Sequence, residues 1–70
     1  MNVWISQNNE NVLIHGAEIE EWALYNNLGQ LVENNQNNIV SIYSLQAGVY
    51  FLKVKPKNAR TDMMFKILKH

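Results

Sequence analysis

Leu45-Gln46-Ala47-Gly48-Val49-Tyr50-Phe51-Leu52-Lys53-Val54 is the stretch that decides how this chain folds. Leu45 is an apolar anchor, and Gly48 can adopt the positive φ that a tight corner needs. From Tyr50 onward, Leu52 and Val54 alternate with Phe51, Lys53 and Lys55, so one face is apolar and the other turns charged. Valine, tyrosine and phenylalanine suit a pleated, half-buried surface. The segment therefore reads as a corner feeding a β-strand, not as a helix.

On its C-terminal side the strand meets Lys55-Pro56-Lys57-Asn58-Ala59-Arg60. Proline lacks the amide donor of a ladder, so the strand ends there and a turn follows. Thr61 to Lys69 then sets Met63, Phe65 and Ile67 against Met64, Lys66 and Leu68, which predicts a returning strand and a last hairpin. On the N-terminal side, Ile39 to Tyr43 alternates and leads into the Leu45 corner. Asn34-Asn35-Gln36-Asn37-Asn38 has no apolar period, and asparagine tolerates turn conformations. It reads as a loop at a hairpin tip, serving as connection only.

Ala17 to Glu33 supports two patterns. Ile19, Trp22, Ala23, Leu24, Leu28, Leu31 and Val32 can be laid on one face of a helix, and alanine, glutamate and leucine favour one. Asn26-Asn27 and Gly29 punctuate the same segment, which fits a strand over 22–26, a corner over 27–29 and a strand over 30–33. Further upstream, Val12, Leu13 and Ile14 mark a strand over 11–15 that Gly16 ends. Val3 to Ile5 is a short first strand, followed by a polar turn at Ser6-Gln7-Asn8-Asn9. With the strand reading of 17–33, about seven short strands with turn signals between them predict an all-β fold, a small antiparallel β-sandwich.

Seventy residues make one domain, 1–70, with no room for a second. Such a domain buries only about 60% of its unfolded surface, and the 47% apolar content suits a globular chain. The absence of cysteine removes disulfides, a thiol nucleophile and zinc-finger spacing. The longest apolar run, near Val49 to Leu52, is far short of the roughly 20 residues of a membrane-spanning helix, so no membrane insertion is expected. Met1-Asn2-Val3-Trp4 lacks the pattern of a signal peptide, which would place any export signal on a longer parent.

Charge is balanced but segregated: Glu10, Glu18, Glu20, Glu21 and Glu33 precede the central strand, whereas Lys53, Lys55, Lys57, Arg60, Lys66 and Lys69 follow it. This basic C-terminal unit is read either as the solvated face of two strands, with lysines guarding edges, or as a docking patch for an acidic partner. Catalysis finds little support. His15 and His70 are the only histidines, Asp62 is the only aspartate, and no serine sits in a glycine elbow. Glu18, Glu20 and Glu21 fall short of the roughly six to eight oxygen ligands of calcium. No cofactor or metal is expected. Trp4, Trp22, Tyr25, Tyr43, Tyr50, Phe51 and Phe65 could stack on a single strand of nucleic acid, but in so small and neutral a chain they are expected mostly in the core, and no nucleic-acid partner is predicted.

Two segments carry a family resemblance. Leu45-Gln46-Ala47-Gly48-Val49-Tyr50 resembles the Leu-x-x-Gly-x-Tyr signature of type A C-terminal sorting domains, which direct cargo through the type IX (Por) secretion system of Bacteroidetes. Leu24-Tyr25-Asn26-Asn27-Leu28-Gly29-Gln30-Leu31-Val32 is similar to that family's Ile-Tyr-Asn-x-x-Gly-x-x-Val segment, and the basic, alternating 61–70 resembles its last strand. One departure is clear: Ser6 to Asn8 stand where the family commonly has a Pro-Asn-Pro turn, and Asn11 stands in place of an aspartate. The resemblance implies an immunoglobulin-like sandwich and the strand reading of 17–33. It also implies a secretion signal that follows an N-terminal cargo domain through the periplasm, meets the type IX translocon, and is removed by a sortase-like cysteine peptidase as cargo is anchored at the cell surface or secreted. Cleavage would fall ahead of the folded domain. The residues it singles out for partner recognition are Gly29, Gly48, Tyr50, Lys66 and Lys69. The alternative is an immunoglobulin-like structural or carbohydrate-binding adhesion module, which an exposed Trp4 or Trp22 would favour.

Overall fold

Seven strands make up the computed structural model, which describes residues 3–57 and 60–70: β1 (Trp4–Gln7), β2 (Asn11–His15), β3 (Ile19–Asn26), β4 (Leu31–Asn35), β5 (Ile39–Ser41), β6 (Gly48–Pro56) and β7 (Met63–Lys69). The Met1-Asn2 part of the signal-peptide reading and the Asn58-Ala59 part of the proline turn lie outside the described residues. All pairings are antiparallel, in a three-stranded sheet β1-β2-β5 and a four-stranded sheet β4-β3-β6-β7. Hairpins join β1 to β2, β3 to β4 and β6 to β7, while the remaining links cross between sheets. This is the small antiparallel sandwich expected from the sequence.

The alternation in the sequence explains which residues meet between the sheets. Val12 and Ile14 of β2 and Val40 of β5 line one inner face, with Ile42 just beyond. Trp22 and Leu24 of β3, Tyr50, Leu52 and Val54 of β6, and Ile67 of β7 line the other, and all belong to one buried cluster. Register locks this arrangement, because Trp22 faces Val54 and Leu24 faces Leu52 across the β3–β6 pair. A slip by one residue would turn every one of these side chains outward. Ala17 to Glu33 thus adopts the strand reading; its helical pattern is overridden by burial of alternate residues and by the Gly29 turn.

Several local expectations are corrected. Ser6 and Gln7 belong to β1, and the turn falls later, where the Asn8 side chain accepts from the amides of Glu10 and Asn11 at 2.8 Å each. Asn34 and Asn35 pair with Ala23 and Trp22 inside β4. What remains of the asparagine tract joins one sheet to the other, so it is not a hairpin tip, and Asn37 accepts a hydrogen bond from the Trp22 indole at 3.1 Å, so it is more than a connection. β5 stops at Ser41, and Tyr43 sits 73% exposed in the following turn. Trp4 is also outside, 55% exposed on β1 and stacked on His15 at 5.6 Å.

Antiparallel pairing resolves the charge segregation. β3 returns beside β6, so the early acids reach the later lysines: Lys55–Glu20 at 3.9 Å and Lys57–Glu18 at 3.8 Å, with Lys53–Asp62 at 3.6 Å. These pairs are solvent-exposed and contribute little to stability.

Candidate functional site

Both glycine corners singled out in the sequence lie at the same end of the four-stranded sheet. Asn26 pairs with Tyr50 across β3 and β6, so the turn after Asn26 and the turn before Tyr50 are neighbours. Between them lies a shallow cleft of about 210 Å³, lined by Asn26, Asn27 and the run from Gln46 to Tyr50.

Asn26 organises the first corner. Its side-chain oxygen accepts from the amides of Leu28 (2.9 Å) and Gln30 (3.0 Å), and its Nδ2 donates to Gln30 Oε1 at 2.9 Å. Backbone bonds run from Gly29 N to Asn26 O and from Asn26 N to Gln30 O, both 3.0 Å. Gly29 has φ +81°, a left-handed torsion that closes this turn with little strain only for glycine. Asn26 lies inside the Leu24 to Val32 segment, and its position at the end of an apolar strand and before Gly29 is the sequence signal of an Asx turn.

Tyr50 organises the second. Its ring is buried on the inner face, and its hydroxyl donates to the Gln46 carbonyl at 2.7 Å, four residues upstream. The bond is the tyrosine corner of immunoglobulin-like sandwiches, and it requires the chain to fold back between Gln46 and Tyr50. Gly48 makes that reversal with φ +151°, while Leu45 packs against the core from the other side. The Leu-x-x-Gly-x-Tyr spacing is thereby explained: anchor, bond acceptor, hinge and clamp follow one another in a single bend. Tyr50→Phe keeps the ring and removes the bond, at a cost of about 1 kcal/mol. In a domain of this size the melting midpoint should then fall by about 4–8 °C, measured by circular dichroism.

The two lysines occupy different settings. Lys69 pairs with Gly48 at the corner end of the sheet and donates through Nζ to the Asn9 carbonyl at 2.8 Å, while Gln7 Nε2 donates to the Leu68 carbonyl at 2.7 Å. These bonds tie the last strand to the first hairpin. Lys66 pairs with Phe51, points outward and is exposed. Elsewhere, His15 lies in β2 with Nε2 hydrogen-bonded to Ser6 Oγ at 2.8 Å, and among the described residues no group of three His, Cys, Asp or Glu side chains is gathered. Among the described residues, no helix is long and apolar enough to cross a membrane.

The family model of the secretion system C-terminal sorting domain matches residues 2–69. The chain belongs to that family. The two segments that resemble its signature, Leu24 to Val32 and Leu45 to Tyr50, form the two corners just described. No curated protein and no solved structure matches the chain. A sorting domain of the type IX secretion system implies a longer cargo protein, the secretion machinery and export to the cell surface or beyond. Such a domain is a signal, not a catalyst. Membership does not favour the adhesion-module alternative, whose support is the exposed Trp4 ring.

Proposed function

We propose that residues 1–70 act as one folded address unit, with no catalytic activity of their own, that carries a preceding cargo domain through the periplasm to the type IX translocon. A sortase-like peptidase then removes the unit ahead of its first strand, and the cargo is anchored or released. The reading is carried by the family match over residues 2–69, and the two segments that resemble the family's signature form adjoining corners, which supports it. In this reading Gly29, Gly48 and Tyr50 act through shape, holding the corners that a partner meets. Lys69 ties the terminal strand in place, and Lys66 is the direct contact. Neither nucleic acid nor an inserted membrane segment takes part.

A periplasmic reporter fused ahead of residues 1–70, in a bacterium with the type IX machinery, tests this. The reporter should reach the surface and lose the domain, and deletion of Thr61 to His70, which removes β7 and Ile67, should abolish export. Retention of the intact fusion in the periplasm, with the domain folded, would reject the proposal.

A further inference from the structure

The outward face of the four-stranded sheet is more apolar than a solvated surface requires. Register places Leu31, Tyr25, Phe51 and Lys66 in one row across β4, β3, β6 and β7, with Val49 and Leu68 beside it and Ala23, Lys53 and Met64 on the other side. Leu31, Met64 and Leu68 are 55%, 60% and 47% exposed, and Tyr25, Val49 and Phe51 are half-buried. Nothing among the described residues covers them. The cations on this patch are unequal: Lys53 is held by Asp62, whereas Lys66 makes no ion pair among the described residues. No acid belongs to the Leu31–Tyr25–Phe51–Lys66 row, and Glu20 and Glu18 are engaged by Lys55 and Lys57.

We infer that this face is the surface by which the sorting domain docks its receptor, and that the receptor presents an apolar patch bearing a carboxylate opposite Lys66. This rests on the sorting function proposed above. An apolar floor excludes water and strengthens the attraction of a single unpaired cation for a carboxylate, while a neutral or basic patch leaves that cation desolvated and uncompensated. A second copy of the chain is a poor occupant, because the residues of this patch are apolar or lysine and Asp62 beside it is already held by Lys53, so the copy offers Lys66 no free carboxylate there. The size agrees. Strand spacing and rise give a patch of ~14 Å by ~13 Å, well below the ~800 Å² per partner of a stable interface. A contact of that kind is made and released, as a domain passed along an export route requires.

The experiment is reporter export with Lys66→Glu, Lys66→Arg and Leu68→Ser in the fusion, with Lys57→Glu as an off-face control and the melting midpoint of each domain measured in parallel. Lys66→Glu and Leu68→Ser should each lower export by about tenfold with the midpoint unchanged, while Lys66→Arg and Lys57→Glu should export as the parent does. If Lys66→Glu and Leu68→Ser leave export at the parent's level, this face is not the docking surface, although the sorting function stands. If the unaltered fusion is not exported at all, the sorting function itself falls, and the docking surface with it.

Discussion

Replacing Trp22 with alanine should leave the domain without a cooperative unfolding transition, or with a midpoint at least ~12 °C lower. Trp22 is 1% exposed, lies against Val54 in the neighbouring strand, and donates its indole hydrogen to Asn37. Truncating a buried tryptophan costs about 3–5 kcal/mol, because the lost transfer energy is joined by a cavity the surroundings cannot fill. A chain this short has a total stability of only about 3.5–10 kcal/mol. Removal of one side chain thus consumes about three-tenths or more of the margin. Trp4→Ala is the matched comparison: the same residue type, but standing in solvent on His15, should shift the midpoint by only a few degrees. Thermal and urea unfolding of both variants decide the matter. Equal losses would mean that the two rings have been assigned to the wrong sides of the sheets.

Gly48→Val should destabilise the domain by about 1–3 kcal/mol although a side chain there meets no obstacle. A Cβ at this position has no atom within 4 Å, so the cost arises from the backbone torsion of +151°, which L-residues rarely adopt. Relief of that torsion would pull Gln46 away from the Tyr50 hydroxyl, so the strain and the corner bond are coupled. Chirality separates torsion from crowding. In a chemically synthesised chain, D-alanine at position 48 mirrors the torsion into the ordinary extended range and should match glycine or exceed it, whereas L-alanine should not. A D-alanine chain that unfolds as readily as the L-alanine chain would show that the space, and not the torsion, selects glycine. Export of a reporter should follow the same order if the corner's shape is what the machinery meets.

How much of this was readable beforehand depends on the range over which each feature is decided. The strand at Tyr50 to Val54 and its partner at Met63 to Ile67 were legible because alternation is written into adjacent residues and Pro56 ends the first of them. The glycine corners were legible for the same local reason. By contrast, nothing near Trp4 distinguishes it from Trp22: its ring points outward because register pairs it with His15, which alternates with the inward Val12 and Ile14 of β2, a fact of pairing and not of composition. Asn34 and Asn35 read as loop because asparagine is poor in strands, yet the β3 ladder recruits them. Likewise, Asn37 owes its role to an indole fifteen residues upstream. For the candidate site, the signature residues were identifiable but their proximity was not, since it follows from the Asn26–Tyr50 pairing. The apolar outer face was concealed for a related reason. Tyr25, Leu31, Phe51 and Leu68 come from four strands, and only the register sets them side by side.

The strand order has a kinetic corollary. β2 waits for β5 and β3 waits for β6, and these two long closures interlock, because each encloses one partner of the other. Each closure spans a strand of the other sheet, so the two sheets are assembled from interleaved segments of the chain. Such interlocked, non-local closures are expected to be slow to find and to be lost together. Unfolding that begins between β2 and β6 is therefore expected to take both corners and the outer face together. An address built this way is either present in full or absent.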